Sequence, residues 1–94
     1  MKNILNLIIE LRDKRGWKEH DTPDALAKSI IIEAAELLEN YQWPDVIPDP
    51  QNVKEELADV LIYALAMASD LGLDPEQIIR EKLEKNIKKY PEIK

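Results

Sequence analysis

The chain has 94 residues, a formal net charge of −6 and no cysteine. We therefore expect one domain without disulfides, thiolate metal sites or a cysteine nucleophile. Residues 21–78 hold thirteen Asp and Glu against two Lys. This acidic centre argues against binding to duplex nucleic acid, which requires a basic surface. The longest uncharged run, Val60 to Ser69, is too short to span a membrane, and no signal peptide is visible, so we expect a cytoplasmic protein.

The first half of the chain predicts two helices. Apolar residues at helical spacing indicate a first helix over residues 2–15, and Gly16 ends it. Thr22 is a suitable N-cap, and Pro23 suits the first position of a second helix. We expect this second helix to run from Pro23 to about Tyr41.

The second half predicts two more helices. The segment Asn52-Val-Lys-Glu55 has the pattern of a capping box that opens a third helix, and Gly72 closes that helix. Asp74-Pro75 repeats the earlier start signal for a fourth helix, which ends before Pro91. No strand pattern competes with these helices. The predicted fold class is therefore all-α, with a four-helix antiparallel bundle-like protomer.

The second and third helices are too apolar for a monomer of this size. Ile30, Ile31 and Ile32 are consecutive, and at about 100° per residue they cover more than half of the helix circumference. The third helix has the same character, with Leu57, Val60, Leu61, Ile62, Leu65, Ala66 and Met67. A helix that is apolar nearly all round must be buried on more than one side. We therefore expect helices 2 and 3 to form the shared core of a homodimer, or of a homotetramer built as a dimer of dimers.

Two acidic pairs lie within these apolar stretches, Glu33 with Glu36 and Glu56 with Asp59. A spacing of three residues places both carboxylates of a pair on one helical face, with Cβ atoms about 5–6 Å apart. Four such carboxylates facing one another would repel strongly unless protons or divalent cations neutralised them. The alternative is that each pair lies at a helix edge and forms salt bridges with Lys or Arg. Two pairs beside apolar stripes favour the cation site.

The ligand types select the metal. Oxygen-only ligation favours Mg²⁺, Mn²⁺ or Ca²⁺ over zinc or copper. A di-iron bundle would need Glu-x-x-His motifs, and the only histidine, His20, precedes the second helix. Mg²⁺ commonly binds through carboxylates together with substrate phosphates. The pattern therefore predicts a Mg²⁺ site, with Mn²⁺ as an alternative, for chemistry on a phosphate ester or anhydride.

The two acidic pairs and their surroundings resemble the signature of the all-α nucleoside triphosphate pyrophosphohydrolases, the MazG-like family. The matching segments are Ile32–Trp43, Glu55–Tyr63 and Lys82–Pro91. The similarity covers nearly the whole chain, so residues 1–94 are expected to form a single domain of this family. The resemblance implies Mg²⁺-dependent hydrolysis of ribo- or deoxynucleoside triphosphates to the monophosphate and pyrophosphate. It also implies a role in removing unwanted or excess nucleotides.

The resemblance also implies roles for individual residues. The expected metal ligands are the four carboxylates of Glu33, Glu36, Glu56 and Asp59. Glu36 is also the candidate for accepting the proton of the attacking water. The residues expected to contact the nucleoside triphosphate are Trp17, Trp43 and Tyr63 at the base and sugar, and Lys82, Lys85 and Asn86 at the phosphates or sugar. His20 and Lys28 are given no role, and no base preference is predicted, because tryptophan stacks on any base.

Each substrate contact has a plainer alternative. Lys85 can pair with Glu81 on a solvated helix face. Trp17 and Trp43 can cap the core, and Tyr63 can serve only to orient Asp59. The alternative enzyme is the related phosphoribosyl-ATP pyrophosphohydrolase, which commonly has His where this chain has Tyr63. The alternative of a different class is a non-catalytic helical oligomerisation module.

Overall fold

The computed structural model describes residues 2–93 and contains four α-helices over that range. They are α1 (Lys2–Arg15), α2 (Pro23–Leu38), α3 (Pro50–Asp70) and α4 (Pro75–Lys89). No strand forms within the described residues, so the predicted all-α class with four helices is confirmed. None of the four helices combines the length and the apolar character needed to cross a bilayer.

Helices α2, α3 and α4 begin in the same way. In each, an oxygen-bearing side chain precedes a proline and accepts a backbone N–H of the first helical turn. Proline suits that position because it lacks an N–H and its φ angle is already helical. The three start signals are Thr22-Pro23, Asp49-Pro50 and Asp74-Pro75.

The predicted capping box at Asn52–Glu55 is wrong. The N-cap of α3 is Asp49, whose carboxylate accepts the Gln51 N–H at 3.1 Å. The helix thus begins earlier than predicted, and the side chains of the supposed box are used elsewhere. Asn52 accepts a hydrogen bond from the Asn40 amide at 2.9 Å, and Glu55 accepts one from the Gln51 side chain at 3.0 Å.

The predicted end of α2 near Tyr41 is also wrong, because the helix stops at Leu38. Beyond it, the N–H groups of Asn40 and Tyr41 donate only three residues back, to Leu37 at 3.2 Å and Leu38 at 2.8 Å. The Asn40 side chain is 7% exposed and also accepts the Asp49 N–H at 3.1 Å. This buried amide turns the chain out of α2 and ties it to the start of α3.

The centre of the fold is a hairpin of α2 and α3. Asn40 meets Asn52 at one end of the hairpin, and Leu26 meets Ala66 towards the other end, so the two helices run antiparallel. Ile8 of α1 joins Leu26 and Ala66 in the buried apolar cluster. The closest backbone approaches of α1 and α4 to the other helices within residues 2–93 are to α3. The hairpin therefore carries the two outer helices.

The four helices do not close into a compact bundle within one chain. The radius of gyration is 16.0 Å, whereas a compact chain of this length has a value of about 12 Å. The described residues extend over 47 × 37 × 25 Å. Few apolar side chains are fully buried, and many large ones stay exposed on every helix. The antiparallel arrangement is present in the hairpin, but the bundle is open.

The end of α1 sets the path of the chain into α2. Gly16 has a φ angle of +66°, which a residue with a side chain rarely adopts. In this turn the Trp17 N–H donates to the Arg12 carbonyl oxygen at 3.0 Å, which closes the last turn of the helix. The prediction that Gly16 ends α1 is confirmed.

Candidate functional site

Carboxylates from both helices of the hairpin converge at its seam. Oxygen atoms of Glu33, Glu56 and Asp59 all lie within 4.8 Å of one another. Glu36 lies within hydrogen-bonding reach of both Glu33 and Glu56. The i,i+3 spacing places each pair on one face, and the antiparallel packing turns the two faces together. The structure thus brings all four acids of the predicted cation site into one cluster, which we call the acidic cluster.

The acidic cluster has no basic partner. None of the salt bridges among residues 2–93 involves any of its four carboxylates. The carboxyl group of Glu36, together with burial and Glu33, raises the pKa of Glu56 from 4.5 to about 7. Burial, together with Glu36 and Asp59, raises the pKa of Glu33. The alternative in which Lys or Arg neutralises each acidic pair does not hold in this chain.

One atom of the acidic cluster requires a partner. The Oε2 atom of Glu56 is buried and has no hydrogen-bond partner among the described residues. A buried polar atom without a partner is costly, and a carboxylate oxygen is a ligand that Mg²⁺ and Mn²⁺ prefer. The convergent oxygens and the unpartnered atom therefore fit a hard divalent cation.

A cleft of about 690 Å³ is lined by residues of α1, α2 and α3, and Asp59 of the acidic cluster is one of them. Asp59 and Tyr63 of α3 line one side of it, and Trp17 lies on the other side. Its lining also includes the apolar residues Ile4, Leu7, Ile8, Leu11, Leu26, Ile62 and Ala66. This volume lies within the range of small-molecule sites, and an apolar wall ending at a few polar groups is typical of them.

The structure divides the predicted substrate contacts into two groups. Trp17 and Tyr63 line the cleft, and burial together with the nearby acids raises the pKa of Tyr63. Trp43 is 61% exposed in the α2–α3 loop and does not line the cleft. The remaining three residues lie on α4, also outside the cleft of this chain: Lys82, Lys85 and Asn86.

The salt bridge between Lys85 and Glu81, which was the alternative to a substrate contact, is not formed among residues 2–93. Glu81 accepts a hydrogen bond from the Gln77 side chain at 3.0 Å. No salt bridge between Lys85 and Glu81 occurs in the part of the chain that the structure describes. The pairing expected from the i,i+4 spacing therefore does not account for this lysine.

Three residues at the cleft and behind it were missed by sequence reasoning. Arg12 and Asp21 line the cleft, and Asp70 binds the Arg12 guanidinium. Arg12 and Asp70 are 58 positions apart, so no local spacing could have paired them. His20 is exposed and does not line the cleft, whereas its neighbour Asp21 does.

Known proteins share both the sequence and the fold of this chain. A pyrophosphatase of known structure from Archaeoglobus fulgidus DSM 4304 is 40% identical, with a TM-score of 0.85 over 98% of this chain and 93% of that one. The dCTP pyrophosphatase 1 proteins of Bos taurus and Homo sapiens are 33% and 32% identical over 97% of this chain. The chain spans 59% of the length of these two curated relatives. The model of the MazG-like family matches residues 28–94, so the chain belongs to the MazG-like family.

Proposed function

We propose that this protein hydrolyses nucleoside triphosphates between the α- and β-phosphates, releasing the monophosphate and pyrophosphate. The observation that carries the proposal is the acidic cluster: oxygens of Glu33, Glu56 and Asp59 lie within 4.8 Å of one another, and none of the four carboxylates forms a salt bridge within residues 2–93. Similarity to a pyrophosphatase and to dCTP pyrophosphatases supports the same reaction. dCTP is therefore the first nucleotide to test, and removal of unwanted nucleotides is the proposed role.

Mg²⁺, or Mn²⁺ in its place, is the proposed metal. Glu33, Glu56 and Asp59 would hold it, because their oxygens converge and one Glu56 oxygen has no other partner. A divalent cation bound there offsets the repulsion among the carboxylates, neutralises phosphate charge and favours deprotonation of water. Phosphate oxygens of the nucleotide would supply further ligands, because Mg²⁺ usually binds substrate phosphates together with carboxylates.

Glu36 is the proposed proton acceptor. It contacts Glu33 and Glu56 but lies outside the set of three oxygens that converge most closely. From this position it takes a proton from the water that attacks the α-phosphorus, while the bond from that phosphorus to the leaving pyrophosphate breaks. Glu36 is also the fourth candidate ligand, so its removal affects both metal and proton.

The cleft is the proposed site of the nucleoside. Trp17 and Tyr63 border it, and an aromatic ring beside a cleft of this size suits a stacked base. Asp59 of the acidic cluster also lines the cleft, so a base held against Trp17 would have its phosphates near the carboxylates. The cleft and the acidic cluster together thus match a ligand with an aromatic end and an anionic end.

A homodimer or homotetramer is the proposed assembly. Large apolar side chains of three helices are open in one chain, with Ile31 69% exposed, Leu61 54% exposed and Ile87 72% exposed. Exposed apolar surface of this extent is typical of an interface. In the assembly, α4 or the α2–α3 loop of a neighbouring copy supplies the contacts that one chain leaves outside its cleft. Those contacts are Trp43, Lys82, Lys85 and Asn86.

A panel of ribo- and deoxynucleoside triphosphates tests the reaction. With millimolar Mg²⁺, we expect equal amounts of monophosphate and pyrophosphate, separated from orthophosphate by ion chromatography. Release of orthophosphate alone would contradict cleavage at the α-phosphorus. The matched control is Asp59→Asn, which should be inactive and still helical by circular dichroism. Sedimentation at micromolar concentration tests the assembly, and a monomer would contradict it.

A further inference from the structure

A buried ion pair joins three parts of the fold beside the cleft. The Arg12 side chain is 6% exposed, and its Nη1 and Nη2 atoms donate to the two Asp70 carboxylate oxygens at 3.0 and 2.8 Å. Nη2 also lies 3.8 Å from an Asp21 oxygen. The guanidinium therefore connects α1 with α3 and with the segment that leads into α2. Two parallel bonds fix its orientation as well as its position.

Trp17 is held between the residues of this network. Its N–H donates to the Arg12 carbonyl oxygen at 3.0 Å, and its own carbonyl oxygen accepts the N–H of Asp21 at 2.9 Å. The guanidinium of Arg15 lies 5.6 Å from the centre of the Trp17 ring, within the range of a cation–π contact. The backbone of Trp17 thus follows Arg12 and Asp21, whose side chains meet at one guanidinium.

The same network lies beside the cleft. Asp70 lies seven residues, or about two helical turns, after Tyr63, so both side chains project from one side of α3. Trp17, in the loop that follows α1, and Tyr63 of α3 both line the cleft, and Arg12 of α1 lines it as well. The Arg12 charge is already balanced by two carboxylates and is buried. It is therefore not open to a phosphate group.

We propose that the Arg12–Asp70 pair is a positioning device for nucleotide binding, an inference that rests on the proposed function. The pair holds the Trp17 segment at a fixed distance from α3 and so sets the width of the cleft. It acts on the affinity for the nucleoside and not on the chemical step, because neither residue of the pair belongs to the acidic cluster.

The kinetic test uses variants of the full wild-type chain, and the fluorescence test repeats them in a Trp43→Phe background, where Trp17 is the only tryptophan. Asp70→Asn should raise KM for the nucleotide about tenfold, the order of affinity that one base gains from stacking on an aromatic ring. Its kcat should stay within about twofold, since lost ground-state binding affects KM alone. The Trp17 emission should shift to longer wavelength and lose part of its quenching by nucleotide.

Two further variants separate positioning from folding. Arg12→Met with Asp70→Leu removes both charges together, and apolar pairs of this kind commonly preserve stability. This double variant should be as stable as the background protein and still show the raised KM. Glu10→Gln is the matched control, because it removes an acid of an exposed α1 ion pair, 2.8 Å from Lys14, and should change neither constant.

The outcomes are distinct. Folded variants with an unchanged KM, or with a loss confined to kcat, overturn the positioning role while the proposed function stands. A wild-type protein that releases no pyrophosphate overturns the proposed function and this inference with it. A raised KM with retained kcat and a shifted Trp17 emission establishes the role.

Discussion

The two charge groups to which α3 contributes acids differ in how their charge is balanced. Near the middle of the helix, Glu56 and Asp59 meet another acid, Glu33, and no basic group of residues 2–93 compensates them. Near its end, Asp70 receives two hydrogen bonds from Arg12. The pKa values shift accordingly, because Glu36 raises that of Glu56 to about 7 and Arg12 lowers that of Asp70. We therefore propose that the group balanced within the chain positions neighbouring elements, and that the unbalanced group is completed by a ligand.

The largest expected effect is on activity, from Glu36→Gln. Removing a positioned proton acceptor typically lowers the rate by about 10²–10⁴-fold. The measurement is pyrophosphate release at saturating Mg²⁺, with circular dichroism to show that the fold is kept. Glu39→Gln is the control, because Glu39 is an exposed acid at the end of α2 outside the acidic cluster. Retained activity in Glu36→Gln would remove the role assigned to this residue.

The second effect compares one acid-to-amide change in each charge group. Asp70→Asn should lower the free energy of unfolding by roughly 3 kcal/mol or more, because it leaves the buried Arg12 guanidinium with a single distant acid. Glu56→Gln should instead raise the melting temperature of the metal-free protein, because it relieves repulsion among acids.

Urea denaturation and thermal melting in EDTA at pH 7 measure this pair of changes. Glu10→Gln serves as the control, with a change within about 0.5 kcal/mol, as expected for an exposed ion pair. Destabilisation of the metal-free protein by both substitutions would show that the two charge groups do not differ in the way proposed.

Adding a divalent metal ion should offset the destabilising repulsion among the carboxylates of the acidic cluster. A cation at 100 times its Kd stabilises the folded state by about 2.7 kcal/mol. We expect Mg²⁺ and Mn²⁺ to raise the melting temperature of the wild-type protein. The shift should disappear in Asp59→Asn and persist in Glu10→Gln. An equal shift in Asp59→Asn would mean that the ion binds outside the acidic cluster.

The smallest expected effect is the pH dependence of folding stability, which differs in sign between the two charge groups. The pKa of Glu56 is raised from 4.5 to about 7, so between these values the folded state binds more protons than the unfolded state. The stabilising contribution of Glu56 is therefore complete below about pH 4.5 and is lost as the pH rises through 7. Asp70 behaves in the opposite way, because its lowered pKa gives a contribution that is present above pH 3.8 and is lost on acidification.

Melting temperatures from pH 4.5 to 7 in EDTA measure the Glu56 effect. The metal-free protein should lose stability across this range, and Glu56→Gln should flatten the slope. Mg²⁺ affinity should rise over the same range, because the cation competes with the proton. A slope that is equal in wild type and Glu56→Gln would assign the titration to another group.

Local features of the sequence determined the helices and the chemistry of the acidic cluster. Thr22 and Asp74 begin helices as predicted, because an N-cap followed by proline acts within a few residues. The same signal, Asp49-Pro50, begins α3, so this N-cap and proline outweigh the capping-box pattern that starts at Asn52. In each acidic pair the two residues are three positions apart, and the helical repeat alone places them on one face. The carboxylates of a pair therefore share a face in any packing of the helices.

Only the tertiary structure decided which faces meet. Asn40 bonds Asn52 beyond the end of α2, Arg12 bonds Asp70 beside the cleft, and the cleft is lined from α1, α2, α3 and the loop between α1 and α2. These outcomes depend on the distance and angle between packed helices, and the period of a single helix contains no information on either. The proposed metal site therefore depends on local spacing, and the proposed substrate cleft depends on contacts between residues far apart in sequence.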